Sequence, residues 1–293
     1  MDWSQVDVTI PRRSRGAAPV LGVHMAGFHY RGSGPVGITM VAHPAVTLLF
    51  DLGDQGWTAH DDAGTRTRGS VAIGLLPGNV SLIGSGAGAC LQVRLSPVLA
   101  AEILDTAGLT GTFAELDDVL GPKARRLSSD LRSTTSWDER FALTFNFLGD
   151  RLDGRRKVDR EVAYAWQQTS LRQGRSDIHA LAAETGWSRQ RLWSRFRTQL
   201  GLSPKRAARL VRFDHAARLL ADGTPPAEAA ARAGYSDQPH LNREVRSIVD
   251  TTPLGVATAP WLAIDHAAWP SFMPRGRQRQ PSDVPRLRWA RCR

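Results

Sequence analysis

A chain of 293 residues with 42% apolar content can bury the cores of two ordinary domains, which excludes disorder throughout. No apolar run reaches the length of a membrane span, and Met1-Asp2-Trp3-Ser4-Gln5 lacks a basic-then-apolar leader pattern, so a cytoplasmic protein without membrane contact is expected. The two cysteines, Cys90 and Cys292, cannot build a disulfide framework or a four-cysteine zinc site, and Cys90, inside an apolar run, reads as a small buried hydrophobe. The net charge of +10 is unevenly spread: residues 1–150 carry 12 Lys+Arg against 15 Asp+Glu, residues 151–258 carry 19 against 11, and residues 259–293 carry 7 against 2. A basic rear half behind a mildly acidic front half points to a polyanionic partner, with nucleic acid ahead of an anionic membrane surface.

In chain order, the first elements are short β-runs punctuated by glycine and proline: Val36–Ala42, Ala45–Phe50, Ser70–Leu76, Val80–Ile83 and Ala89–Leu95. Their spacing suits a β-sandwich or small barrel. Helices follow from Ser96-Pro97, where serine caps and proline occupies the first turn, and again over Pro122–Leu131 and Trp137–Leu152, with Phe141, Phe145 and Leu148 on one face. Gly154–Lys157 reads as a linker. Residues 259–293, rich in proline and arginine, read as a disordered basic tail.

Between linker and tail the pattern is helical and repeats once. Leu181–Ser188 matches Ala229–Ser236, pairing Gly186 with Gly234 and Trp187 with Tyr235; after one inserted residue, Leu192 pairs with Leu241, Phe196 with Val245, and Gly201–Pro204 with Asp250–Pro253. Each copy predicts a short helix, a left-handed glycine, an aromatic plug and a second capped helix, which is helix-turn-helix geometry. Ser188 caps the first of these second helices and Asp237 the other, leaving Pro239 harmlessly in the first turn. Leu192, Phe196 and Gln199/Leu200 face a core on one helix, as do Leu241, Val245 and Ile248/Val249 on the other. The opposite rows are Gln190, Trp193, Ser194 and Arg197, and Gln238, Asn242 and Arg246 with Arg243 beside them. Gln and Asn can read adenine, Arg guanine or phosphate, and Trp thymine methyls. Between the copies a helix from Ser203-Pro204 to about Ala221, with Arg206, Arg209 and Arg212 near its start, spans roughly 25 Å and can hold two reading helices about one DNA turn apart.

With these residues in view, 160–256 resembles the DNA-binding domain of the AraC/XylS family of bacterial transcription regulators. The resemblance is carried by Leu181-Ala182-Ala183 with Gly186, by Ser188, Leu192 and Phe196, by Gly201–Pro204, by Arg212-Phe213, Ala216 and Leu219-Leu220, and by Ala233–Gln238 followed by His240-Leu241 and Arg243. It implies DNA contacts from Arg189, Gln190, Trp193, Ser194 and Arg197 in the first unit, and from Gln238, Pro239, His240, Asn242, Arg243 and Arg246 in the second. Ser194 stands where the family pattern has arginine, Arg195 following one residue later. Leu241 and Val245 replace phenylalanines, and Pro239 and Asp250 replace a polar residue and a glycine, so a less firmly packed second unit is expected.

The front half, with Leu91–Pro97 the nearest match, resembles the β-barrel sensor domains of such regulators. The expected fold class is therefore α+β: a small cupin-like β-barrel sensor and dimerisation domain with trailing helices over 1–153, an all-α double helix-turn-helix domain over 154–258, and the tail. The implied partners are double-stranded promoter or operator DNA, a small-molecule effector, RNA polymerase and a second copy of the chain.

Enzymatic readings find little support. His24, His29, His43 and His60 are scattered without a His-x-His pair, so no metal site or cofactor is expected, and Cys90 has no charged neighbour before Arg94 to make it a nucleophile. Asp51, Asp54, Asp61 and Asp62 read as surface loop carboxylates. The alternative from another class is an interaction or small-molecule-binding module with a degenerate DNA-binding part.

Overall fold

The computed structural model describes residues 5–11, 22–40, 42–54, 56–76, 78, 80–104, 107–152 and 158–258. The expected linker at 154–157 and the expected tail, with Cys292, lie outside the described residues. Among the described residues the front half holds ten strands: β1 (Val6–Thr9), β2 (Val23–Tyr30), β3 (Pro35–Met40), β4 (Val46–Asp51), β5 (Thr58–Asp61), β6 (Arg66–Arg68), β7 (Val71–Ile73), β8 (Val80–Ser85), β9 (Gly88–Leu95) and β10 (Phe113–Glu115). They form two antiparallel sheets, β1-β2-β9-β4-β7-β10 and β3-β8-β5-β6. No backbone pairing joins the two sheets among the described residues, so the expected barrel is not closed and the strands form two open sheets. The edge strands β6 and β10 are three residues long, too short to build the continuous ladder that closure requires.

Period-two alternation divides the central strands between two cores. Leu91, Val93 and Leu95 of β9, with Leu48 and Phe50 of β4, pack against the helices that follow: α1 (Pro97–Ile103), α2 (Leu116–Leu120), α3 (Pro122–Ser133) and α4 (Trp137–Leu152). Cys90 of β9 and Leu49 of β4 turn instead toward Ala59, Val80 and Leu82 of the other sheet. Burial on both faces explains why β4 reads as a continuous apolar run. Gly27 of β2 leaves the room that the Trp137 ring of α4 fills. β1, β2, β5 and β6 escaped the sequence reading because histidines, arginines and aspartates interrupt their apolar alternation, and β10, at three residues, is too short to show one.

The rear half is helical: α5 (Arg160–Leu171), α6 (Ile178–Glu184), α7 (Arg189–Leu200), α8 (Pro204–Ala221), α9 (Pro226–Ala233), α10 (Gln238–Val249) and α11 (Pro253–Ala257). The two expected helix-turn-helix units are α6–α7 and α9–α10. Their turns are built alike. Gly186 and Gly234 adopt φ of 69° and 81°, and Trp187 N–H donates to Ala182 C=O at 3.0 Å as Tyr235 N–H donates to Ala230 C=O at 2.9 Å. Ser188 Oγ accepts from Arg191 N–H at 3.2 Å, and Asp237 Oδ1 accepts from His240 N–H at 2.6 Å, so both expected caps are made.

α8 runs through the middle of this half and is buried along most of its 18 residues. Glu244 of α10, itself buried, accepts from Arg209 Nε at 2.9 Å, Arg212 Nη2 at 3.2 Å and Tyr235 OH at 3.1 Å. Burial and the neighbouring Glu244 charge both push the Tyr235 phenol up, so it stays a donor. With Leu241 and Val245 fully buried beneath it, α10 is anchored as firmly as α7, and the expected looser packing of the second unit left out this clamp.

The second half of α8 meets the strands. His43, in the β3–β4 loop, is buried with Nδ1 3.0 Å from Asp214 Oδ1 and Nε2 3.1 Å from Arg94 Nη2 of β9. Arg218 Nε donates to Asp214 Oδ2 at 2.9 Å. A guanidinium can only donate and an ionised carboxylate only accept, so His43 accepts at Nε2 and donates from Nδ1. Burial by itself would raise the Asp214 carboxyl, but the Arg218 charge and the His43 hydrogen bond outweigh it and hold it well below the usual carboxylate range.

Two stability changes follow from these anchors. Glu244→Ala strands two arginines and a phenol and should lower unfolding free energy by on the order of 3 kcal/mol in urea titration. Asp250 ends α10 at φ 47°, ψ 35°, in the left-handed conformation that glycine adopts without strain, and places a negative charge at a helix C-terminus. Asp250→Gly should therefore stabilise by about 1 kcal/mol, read as a rise in Tm.

Candidate nucleic-acid interface and cavity

Helical spacing sorts each second helix into a buried and an exposed face. On α7, Leu192, Phe196 and Leu200 are buried, while Arg189, Gln190, Trp193, Ser194 and Arg197 are all exposed; Trp193, at 45%, is unusually open for so large an apolar side chain. The Arg197 guanidinium lies 5.2 Å from the Trp193 ring centre. On α10, Gln238, Pro239, Arg243 and Arg246 are exposed, whereas His240 and Asn242 are half-buried. His240 is held in the turn, its ring edge-on to Tyr235 at 5.2 Å and its Nδ1 3.1 Å from Ser236 Oγ.

The arginines divide into two groups. Arg195 makes a two-pronged contact with Asp159 just before α5, at 2.7 and 3.0 Å, and its hydrogen bonding holds the Asp159 carboxyl below the usual range. Arg195 is thus tied into the fold and does not supply the free arginine that Ser194 lacks. Arg209 and Arg212, read from sequence as part of a basic helix start, are bound to Glu244. By contrast Arg189, Arg197, Arg243 and Arg246 have no carboxylate partner among the described residues. Arg189 Nη1 donates to His179 Nε2 at 3.0 Å, and Arg191 stacks 4.4 Å from the Trp187 ring centre. Arg189, Arg197, Arg243 and Arg246 lie on or beside the two exposed rows. Glu244 and Asp159 were missed in the sequence because a lone acidic residue in a basic helical stretch carries no local sign of burial or pairing.

A second feature lies between the two sheets. A cavity of about 120 Å³ is walled by Phe28, Ile38, Met40, Leu49, Trp57 and Leu82, with Gln92, Arg94 and His43 toward one end and Asp51 and Cys90 toward the other. Asp51 departs from its expected surface position: it is buried at the end of β4, and its oxygens accept from Gly53 N–H at 3.0 Å and Trp57 N–H at 3.1 Å. Cys90 is buried as expected, and burial together with the Asp51 charge pushes its thiol up, which keeps it protonated and uncharged. Among the described residues no group of three or more His, Cys, Asp or Glu could hold a metal ion, and no helix is long and apolar enough to cross a membrane.

Comparison with known proteins places the rear half. A family model described as a helix-turn-helix domain matches residues 181–258. The uncharacterised HTH-type transcriptional regulator YbfI of Bacillus subtilis is 36% identical over 64 residues, which are 22% of this chain and 23% of that protein. Among solved structures, ToxT of Vibrio cholerae aligns over 83% of this chain and 98% of its own at 10% identity with a TM-score of 0.47. The C-terminal domain of AraT from Geobacillus stearothermophilus aligns over 35% of this chain and 87% of its own, at 22% identity with a TM-score of 0.33. With two units built on the same turn, cap and anchor pattern, residues 181–258 of this chain are a helix-turn-helix domain of the AraC/XylS family.

Proposed function

We propose that the chain is a sequence-specific, DNA-binding transcriptional regulator whose α7 and α10 lie in successive stretches of the major groove on one face of a duplex. The observation that carries this reading is the pair of exposed rows, each behind a left-handed glycine turn, held on one rigid α8. At 1.5 Å per residue α8 is about 27 Å long, near the spacing of two grooves one helical turn apart. Among the described residues Arg197, Arg243 and Arg246 have no carboxylate to neutralise them, as phosphate contact requires. The reading assigns contacts to Arg189, Gln190, Trp193, Ser194 and Arg197, and to Gln238, Pro239, His240, Asn242, Arg243 and Arg246. It divides the chain into a sensor and dimerisation part over 1–153, a DNA-binding part over 154–258 and a basic tail. The cavity between the sheets is the place for a small effector, and the front half modulates and does not catalyse. RNA polymerase and a second copy complete the partners of such a regulator in the cytoplasm.

Footprinting on the upstream region of the chain's own gene tests the reading: a regulator protects a discrete site, and an absence of protection at low salt overturns it. The logarithm of affinity should fall linearly with that of salt, with a slope of roughly −0.9 per phosphate neutralised. Sequence discrimination should rest mainly on α7, whose Gln190 and Trp193 are open, while α10 holds His240 and Asn242 partly withdrawn. Gln190→Ala or Trp193→Ala should relax preference at one or two positions, each worth about 1–3 kcal/mol, and Arg197→Ala should weaken all sequences alike. Selection from a random duplex pool reads this directly, and greater loss of information from Asn242→Ala and Arg243→Ala reverses the assignment.

A further inference from the structure

We infer that Arg175, in the loop between α5 and α6, is a positioning residue: its side chain bridges the two helix-turn-helix units and fixes the number of base pairs between the elements that α7 and α10 read. This rests on the DNA-binding reading and adds to it the residue that sets the spacing.

The need for a bridge comes from how the apolar interior is divided. Leu181, Leu192 and Phe196 of the first unit belong to one core, which takes Leu210 and Val211 from α8. Ala230, Leu241 and Val245 of the second unit belong to another, which takes Phe213, Ala216 and Ala217. The boundary falls at Arg212, midway along α8. Among the described residues, the apolar side chains that pack against both cores are Ile248 and Val249, each only partly buried. Helices of this length curve, so α8 alone is not a straight rod. A bend of about 15° at the middle of a helix about 27 Å long displaces an end by about 3.5 Å, which is one base-pair step along a duplex.

The loop ahead of α6 closes this boundary from outside. Gly174 N–H donates to Thr169 C=O at 2.9 Å and Arg175 N–H to Arg172 C=O at 3.0 Å, so the loop is fixed to the end of α5. Gly174, at φ 74°, lies so close to α8 that a Cβ there would overlap the Ala208 carbonyl oxygen and stand 2.7 Å from Arg212 N. The next residue crosses to the second unit. The Arg175 stem lies over the Gly234 turn, its Cδ 2.8 Å and its Cγ 3.0 Å from where a Gly234 Cβ would stand. Its Nη2 folds back to donate to Gln173 Oε1 at 3.2 Å, which holds the stem down. From α8, the Arg212 guanidinium meets the same turn, 4.8 Å from the Tyr235 ring centre. Two neighbouring loop residues thus grip α8 where the cores divide and the turn that aims α10. Because Arg175 is exposed, removing its stem leaves both cores intact and takes away one restraint on the relative position of the units.

Spacing is read on the full chain by fluorescence anisotropy, with the duplex selected from a random pool. Inserting or deleting one base pair between the two elements should weaken wild-type binding by about tenfold or more, since one reading helix then leaves its bases. In Arg175→Ala that penalty should fall to about threefold, with the preferred bases of each element unchanged. Arg175→Met, which keeps the stem and removes the charge, should retain the wild-type penalty. An undiminished penalty in Arg175→Ala overturns the assignment. So does a loss of affinity shared by both variants at every spacing with the salt slope reduced by about 0.9, which marks a phosphate contact instead.

A measurement without DNA separates the positioning role from the reading it rests on. Spin labels at Thr198→Cys on α7 and Gln238→Cys on α10, with Cys292→Ser and the buried Cys90 left unlabelled, report the distance between the reading helices. The distance distribution should widen about twofold or more in Arg175→Ala and keep its wild-type width in Arg175→Met. An unchanged width in Arg175→Ala overturns the positioning role. A widened one in a chain that binds no duplex counts against the DNA-binding reading alone.

Discussion

Charges buried on or against α8 have to be paired, and the pairing decides where the neighbours of this helix sit. Arg209 and Arg212 draw Glu244 and with it α10; Asp214 and Arg218 face each other four residues apart and hold His43 of the strand half. An unpaired charge at either place would cost several kcal/mol, so each contact is specified in direction and partner in a way that apolar packing alone is not. One helix thereby sets the position of the second reading helix and the seat of the front half.

This arrangement also sorts the arginines of a basic domain by function. Net charge describes the attraction of the whole half for a polyanion, but the contacts available to a duplex are fewer than the count of arginines. Arg195, Arg209, Arg212 and Arg218 have carboxylate partners inside the fold, whereas Arg197, Arg243 and Arg246 keep their full charge on the outer faces of α7 and α10. Side chains locked by partners build the frame, and those without partners remain for phosphate and base edges.

In the strand half, the alternation of β9 separates two jobs by a single residue step. Leu91, Val93 and Leu95 bind the sheet to the helices, and Cys90, Gln92 and Arg94 line the space between the sheets. A one-residue slip of register would exchange the two sets, so the apolar demand of the helix side also fixes which polar groups enter the cavity. Arg94 is the residue at which this inner face and the contact with α8 meet.

What the sequence determined by itself was everything governed by interactions within about one helical turn. The two turns at Gly186 and Gly234, the caps at Ser188 and Asp237, the anchors Leu192, Phe196, Leu241 and Val245, and the span of α8 were all legible, because capping, left-handed glycine and i, i+4 periodicity are local. The apolar strands β4, β7, β8 and β9 were legible for the same reason. Only tertiary structure decided that the sheets stay open, that Asp51 is buried, and that half-buried His240 and Asn242 differ from their exposed neighbours on α10. Only there do Glu244 and Arg209 meet across 35 residues and His43 and Asp214 across 171. Such pairings depend on where packing brings distant segments, and a charged residue in sequence carries no mark of the partner it will find.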